Sequence, residues 1–338
     1  MRSEITIDLG ALRRNVRSLV RRLEGAELWA VVKANGYGHG AVDCAAAALG
    51  AGATALCVAT VPEALELRRE LGDVRILVLG PASNREIVQA RDAGLALAVS
   101  ADDVPEGVAV HVKLDTGMGR WGLAELPSPT REVVGVMTHL ATADTDLDFA
   151  RAQIARFREE TEPVAHLERH VANSAATLRL PESHFDAVRC GIALYGLSPF
   201  GGDPLEDGLE PVLAWTSEVS LAKLLRAGES TGYGRRFVAE RDTWIGIVPV
   251  GYGDGFRRDL TGTQVRVAGE SRPVVGTVSM DAIAVELDRA LPPGTLVTLV
   301  GRGVPLEQHA RVARTITYEL ACGIDTSPTR ARRVVVDS

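Results

Sequence analysis

Lysine is almost missing from this chain. Of the 37 basic residues among 338, three are lysine (Lys33, Lys113 and Lys223) and the rest are arginine. A chain that uses arginine nearly everywhere keeps lysine where a guanidinium cannot substitute. Arginine stays protonated, whereas a partly desolvated lysine amine can lose its proton and attack a carbonyl. Cysteine is scarce as well. The four (Cys44, Cys57, Cys190 and Cys322) are widely spaced with no Cys-x-x-Cys pair, which fits buried thiols in a reducing cytoplasm. Aromatics make up 4%, the net charge is −7, and no basic stripe carries interleaved aromatics, which argues against nucleic acid as a partner. No apolar run approaches the ~20 residues that cross a bilayer. Met1–Gly10 is charged and then strand-like, unlike a signal peptide. Repeats, coiled-coil heptads and low-complexity tracts are absent from the sequence.

What remains is an ordinary globular composition, 46% hydrophobic and 24% charged, in a chain long enough for two domains. Ile5–Leu9 reads as a short strand leading into a helix with Asp8 near its N-cap and Leu12, Val16, Leu19 and Leu23 along one face. Apolar strands then alternate with helical patterns. The strands are expected at Leu28–Lys33, Ala55–Ala59, Arg75–Leu79, Leu95–Val99, Val108–Leu114 and Val133–His139, then less clearly near His170–Ala172 and Asp186–Arg189. Eight strand-helix units predict a (β/α)8 TIM-like barrel over residues 1–210. From 211 to 338 the texture changes to short strands set off by Gly, Pro and Asp turns, a mostly β second domain, interrupted by a helical pattern over Leu306–Cys322.

In such a barrel the reactive groups gather at the C-terminal ends of the strands. Lys33 ends the first of them, inside Ala-Val-Val-Lys-Ala-Asn-Gly-Tyr-Gly-His-Gly. Asp115 and Arg120 follow the fifth, His139 ends the sixth, Asn173 and Ser174 follow the seventh, and Arg189 ends the eighth. Ser174 opens a short helical stretch and Gly191-Ile192 follows the last strand, where exposed backbone N–H groups suit a phosphate. A lysine able to form an imine, in the same mouth as a phosphate pocket, points to pyridoxal phosphate. Taken singly, Lys33 reads as a lysine leaving a strand for solvent and Ser174 as a helix N-cap.

Several longer motifs resemble the alanine racemase family: the Lys33 stretch, Lys-Leu-Asp-Thr-Gly-Met-Gly-Arg, Thr-His-Leu-Ala-Thr-Ala-Asp, Ala-Asn-Ser-Ala-Ala, Val-Arg-Cys-Gly-Ile-Ala-Leu-Tyr-Gly, Gly-Tyr-Gly-Asp-Gly and Ser-Met-Asp. They occur in the family's order along nearly the whole chain. The resemblance implies a fold-type III pyridoxal 5'-phosphate enzyme working as a cytoplasmic homodimer, interconverting L- and D-alanine and supplying D-alanine for peptidoglycan. It implies Lys33 as imine lysine and one catalytic base, and Tyr233 from the partner subunit as the other. Tyr37, Ser174, Gly191, Ile192 and Tyr252 would hold the phosphate, with Asn173 beside them. Arg189 would face the pyridine nitrogen, tied to His139. Arg120 would hold the substrate carboxylate, with the partner's Met280 and Asp281 closing that side. Lys113 matches a lysine often carbamylated in the family. An arginine at the pyridine nitrogen would leave the ring a weaker electron sink and limit decarboxylation and transamination.

Gly117–Gly122 fits G-x-G-x-x-G, but Pro127 and Pro129 cut short the helix that a dinucleotide site requires. His166 and His170, four apart, have no third ligand nearby, so no metal is expected. Asp102-Asp103 and Arg330–Arg333 read as solvated charge. The chain departs from the family pattern in being shorter than most relatives, notably between Arg120 and His139, and in carrying Asp325-Thr326-Ser327-Pro328 after Cys-Gly-Ile, where a Tyr or similar polar residue is expected; Trp121 also stands where an aliphatic residue is expected. These departures keep open a serine or broad-specificity racemase on the same scaffold, and more remotely a non-catalytic pyridoxal-phosphate carrier.

Overall fold

A computed structural model describes residues 2–101 and 104–338; the Asp102-Asp103 pair lies outside them. The chain forms two units, one of Leu12–Phe200 with Asp207–Glu210, the other of the residues up to Ala11 with Gly201–Glu206 and Pro211–Ser338.

The first strand, β1 (Ser3–Asp8), belongs to the second unit. Its residues alternate between buried and half-buried, which suits a sheet with one covered face and not a barrel strand enclosed on both. The barrel is built from β2 (Glu27–Val31), β3 (Ala55–Val58), β4 (Ile76–Val78), β5 (Ala96–Val99), β6 (Ala109–Lys113), β7 (Val133–Met137), β8 (Glu168–His170) and β9 (Ala187–Cys190). All are parallel in sequence order, and β9 closes on β2 by pairing Ala187 with Glu27 and Cys190 with Ala30. Apolar runs such as Ala55–Val58 are buried throughout because core side chains meet them inside and helices outside. Helix Val61–Leu71 starts with a capping box in which the Thr60 hydroxyl accepts from Glu63 N–H while the Glu63 carboxylate reaches back to the Thr60 N–H.

The second unit contains β10 (Leu213–Glu218), β11 (Leu221–Leu225), β12 (Ser230–Thr231), β13 (Phe237–Val238), β14 (Thr243–Val248), β15 (Gln264–Val267), β16 (Glu270–Val275), β17 (Ile283–Leu287), β18 (Leu296–Val300) and β19 (Arg332–Val336). Nine strands form one sheet in the order β11-β14-β17-β16-β15-β18-β10-β1-β19, while β12 and β13 pair separately. The expected helix over Leu306–Cys322 is two helices, Leu306–Ala313 and Thr317–Gly323. Arg314 between them is left-handed (φ 52°), which no continuous right-handed helix tolerates. The arginine-rich end is not simply solvated charge. Arg332 opens β19, parallel to β1, and faces Glu4, while Arg330 pairs with Asp281.

Candidate active site

The turn after β2 sets the position of Lys33. Residues Lys33–Tyr37 form one tight turn, but of the wrong hand: Ala34 (φ 52°), Asn35 (φ 52°), Gly36 (φ 61°) and Tyr37 (φ 53°) are all left-handed. Each non-glycine residue there costs roughly 1–2 kcal/mol, so the neighbours must hold the turn in place. Glu63 does so from the adjacent helix, with Oε1 accepting from Ala34 N–H at 2.7 Å while Oε2 accepts from Ala59 N–H at 2.8 Å. Asn35 Oδ1 accepts from Ala41 N–H, and the buried His39 ring is bonded through Nδ1 to the Tyr37 carbonyl. The result is a half-buried Lys33 at the barrel mouth and a buried Tyr37, whose ring lies 5.1 Å from that of Tyr195.

Beside this turn, the neighbouring strand β9 leads into Gly191. A Cβ on Gly191 would sit 2.4 Å from the Tyr37 hydroxyl oxygen, so the glycine is what admits the phenol. The buried Ser174 hydroxyl oxygen accepts from Gly191 N–H at 3.0 Å and Ala193 N–H at 3.3 Å, and Asn173 caps the same short helix by accepting from Ala176 N–H. Tyr37, Ser174, Gly191 and the buried Ile192 therefore share one cradle.

Arg189 is buried, and both of its terminal nitrogens are engaged. Nη1 donates to His170 Nδ1 (2.7 Å) and the His170 carbonyl (2.8 Å). Nη2 donates to the Thr138 carbonyl (2.8 Å), the Val171 carbonyl (3.2 Å) and, at 3.5 Å, His139 Nδ1. Burial, and then the Arg189 charge, hold His139 and His170 well below the usual histidine range, so both imidazoles are neutral. Lys113, buried at the end of β6, is lowered to about 8, first by burial and then by the charges of Arg120 and Arg189. Lys33 bears on both Lys113 and His139. Lys33, Lys113, Arg120 and Arg189 thus make a strongly cationic mouth around a neutral histidine. Asp115 shapes the loop that carries Arg120, its carboxylate accepting from the N–H groups of Gly117, Met118 and Gly119. Trp121 lies beneath both cations, its ring centre 5.1 Å from Arg120 Cζ and 5.4 Å from Lys113 Nζ.

The remaining predicted residues lie in the second unit. The Gly251–Gly255 turn is zipped to the 279–281 loop by Tyr252 N–H to the Ser279 carbonyl and Gly253 N–H to the Met280 carbonyl, bringing Tyr252, Met280 and Asp281 together. Tyr252 and Tyr233 line one open cleft of about 690 Å³ with Arg257 and Arg258. Tyr233 is 71% exposed. Asp281 accepts from Arg330 and Arg2, which hold its carboxyl below the ordinary range, Arg330 most strongly.

Residues 7–199 match the family described as alanine racemase, N-terminal domain, and residues 212–334 its C-terminal domain. The chain belongs to the alanine racemase family. Alanine racemase 1 of Bacillus subtilis (strain 168) is 41% identical over 350 residues, spanning 95% of this chain and 90% of the relative. The crystal structure of alanine racemase from D-cycloserine-producing Streptomyces lavendulae superposes with a TM-score of 0.93 at 36% identity, covering 100% of this chain and 98% of that one. Alanine racemase from Streptomyces coelicolor A3(2) gives 0.91 at 39% identity, with the same coverage. The family and the barrel-plus-β architecture expected from the motifs are those found.

Three residues that shape the site are not evident from the sequence. Glu63 is announced by its Thr-Val-Pro-Glu capping box, though not its reach to Ala34. His170 reads there only as one of two histidines four apart, with no metal and no other role assigned, and His111, which bonds to it, looks like any residue of an apolar strand.

Proposed function

We propose that the chain interconverts L- and D-alanine with pyridoxal 5'-phosphate held at the C-terminal mouth of its barrel, using Lys33 and Tyr233 as the two bases. The observation that carries the reading is the cradle where Tyr37 and Ser174 meet at Gly191, a close approach that any side chain at 191 would block, in the same cationic mouth as Lys33. That donor set fits the cofactor: Tyr37, Ser174 and the backbone at Gly191 and Ile192 suit its phosphate, with Asn173 shaping the cradle; the family resemblance alone adds Tyr252 as a further hydroxyl. Arg189 suits its ring nitrogen, and His139 is the neutral ring that Arg189 steadies. Bound there through Lys33, the cofactor acidifies the substrate's α C–H by delocalising the charge left behind.

Inversion needs one group to take the α proton from one face and a second to return a proton on the other. The Lys33 amine serves one face. Tyr233, exposed on its own subunit, is read as serving the other in the partner's site, as Met280 and Asp281 are read as closing the substrate side. The 71% exposure of Tyr233 and 50% exposure of Met280 support a surface completed by a second copy. Arg120 binds the substrate carboxylate as a fork, oriented by the Asp115 loop and by Trp121. With its proton affinity lowered, the Lys113 amine is partly neutral near pH 8 and can add carbon dioxide, giving a carbamate and a proton; the anion would brace Arg120. Buried thiols at Cys57 and Cys190 suit a reducing cytoplasm, where D-alanine enters peptidoglycan assembly.

The test is chirality. Purified protein loaded with pyridoxal phosphate is given L-alanine and, separately, other L-amino acids, and D-product is measured. Racemisation of alanine, abolished in both directions in Lys33→Ala and in Tyr233→Phe, with the latter keeping exchange of the α proton with solvent for one enantiomer only, is the expected result. Turnover of serine or lysine without alanine would move the assignment to a different racemase, and absence of any conversion would overturn it.

A further inference from the structure

Behind Arg189 a second histidine continues the chain of hydrogen bonds towards the far end of the barrel. A guanidinium has no lone pair to accept with, so the 2.7 Å contact from Arg189 Nη1 makes His170 Nδ1 the acceptor. The His170 proton then sits on Nε2, which lies 2.9 Å from His111 Nδ1. His111 Nδ1 must therefore accept, and its own proton sits on Nε2. Each ring has one tautomer available, fixed from the arginine outward. Both histidines are buried, and Trp29 packs against them, 4.5 Å from His170 and 5.6 Å from His111 between ring centres. His111 also lines a cavity of about 260 Å³, alongside Arg75, Leu95 and Glu168.

The neighbouring strand leaves room for this ring. Gly135 faces His111 from β7, and a Cβ there would stand 2.2 Å from Nδ1 and 2.6 Å from Cε1. The φ of Gly135 is not positive, so no left-handed backbone demands the glycine; its missing Cβ makes room for the His111 ring and for the Glu168 carbonyl oxygen, 2.8 Å away. The side chain is missing where the accepting nitrogen has to be.

We propose that His111 is a positioning residue for the reaction: seated over Gly135, it accepts from His170 Nε2–H and so keeps the His170 Nδ1 lone pair turned to Arg189. If His170 took the other tautomer, an N–H would face the guanidinium, two donors in one contact, and Arg189 would lose the acceptor that sets its angle. The kinetic part of this inference rests on the racemase reading; the tautomer part does not.

Three variants test it. His111→Asn keeps an acceptor, because the amide Oδ1 can occupy the place of imidazole Nδ1. His111→Leu removes it, and Gly135→Ala displaces the ring while leaving the imidazole itself in place, its methyl also pressing on the Glu168 carbonyl oxygen. Protein labelled with 15N-histidine, observed by long-range 1H–15N correlation, should show His170 as a pure Nε2–H tautomer in the unsubstituted protein and in His111→Asn. In His111→Leu and Gly135→Ala a mixture of tautomers should appear. With pyridoxal phosphate and alanine, kcat should fall about tenfold in the latter two, the size expected for one buried hydrogen bond left unmade. KM should stay within about twofold, and His111→Asn should recover most of the rate. A His170 signal that remains a pure Nε2–H tautomer in His111→Leu overturns the proposal, as does a His111→Asn rate no better than that of His111→Leu. If the unsubstituted protein racemises nothing, the functional reading falls and the tautomer measurement still decides the role of His111.

Discussion

Gly191→Ala isolates the geometry on which the cofactor cradle depends. The new methyl group would lie 2.4 Å from the Tyr37 hydroxyl oxygen, 2.9 Å from Cζ and 3.3 Å from Cε2, against the ~3.5 Å at which non-bonded atoms rest. Something must yield by roughly 1 Å, and the phenol is poorly placed to do it. Tyr37 is buried, its backbone is left-handed (φ 53°), and its ring is flanked 5.1 Å away by Tyr195. Tyr195 in turn is anchored by its hydroxyl donating to the Val31 carbonyl at 3.0 Å. Overpacking of this kind costs about 1–3 kcal/mol, which corresponds to an increase of about 5- to 150-fold in the cofactor dissociation constant if the displaced phenol is what grips the phosphate. Fluorescence titration of the apoprotein with pyridoxal phosphate reads the affinity, and thermal melts of the same apoprotein separate binding from folding. The double variant with Tyr37→Phe sharpens the argument. Removing the oxygen leaves Cζ as the nearest atom, so the hydroxyl deletion should cost less in the Gly191→Ala background than with the glycine in place, with a coupling of about 0.5–3 kcal/mol. Unchanged affinity in Gly191→Ala, or strictly additive effects in the double variant, would refute the steric reasoning.

Lys113 carries a signed pH prediction. Its folded value is lowered to about 8 from the ordinary 10.5, so between these limits the unfolded chain holds a proton that the folded one has released, and this group's contribution to stability rises with pH across that window. Urea midpoints measured from pH 8 to 10.5 should climb less steeply in Lys113→Met, and 13C-bicarbonate should yield a carbamate resonance that the variant lacks. Trp121→Leu removes the ring from beneath Arg120 and Lys113, contacts of about 0.5–1 kcal/mol at exposed sites; KM for alanine should rise about two- to fivefold with kcat nearly constant, and an unaltered KM would show that the ring orients nothing. Glu63→Ala strips the carboxylate from the Ala34, Ala59 and Thr60 N–H groups, so it should lower stability by about 1–3 kcal/mol and slow cofactor attachment at Lys33, whereas Glu66→Ala on the same helix should do neither.

How much of this was legible in the sequence follows from burial. β2 to β7 read out well because strands enclosed on both faces are short apolar runs, and Ala55–Val58 has no polar letter in it beyond a thiol. β8 was misplaced by two residues, since Glu168–His170 is polar on both sides: Arg75 bonds Glu168 at one end and Arg189 takes His170 at the other. The strands at Leu221–Leu225 and Arg332–Val336 are hard to read from the letters because their lysine and arginines break the alternation. At the site, residue types at strand ends gave Lys33, Arg120, His139, Asn173, Ser174 and Arg189 as neighbours. Conformation was harder to read. A stretch with three glycines looks like a flexible turn, and nothing in its letters says that Ala34, Asn35 and Tyr37 are left-handed too. The Arg189–His170–His111 chain links residues 19 and 59 positions apart, a distance over which no periodicity operates.

The backward-wound turn at 34–37 has a consequence for how such a scaffold can change. A coil that Ala34, Asn35 and Tyr37 must enter against their own preference, secured by a carboxylate from the next helix, has no slack with which to slide. The position of Lys33 is therefore fixed by what surrounds the turn, while the Arg120 loop, shaped by Asp115, can be rewritten without disturbing it. Diversification of substrate choice and constancy of attachment are thereby assigned to different stretches of the same polypeptide.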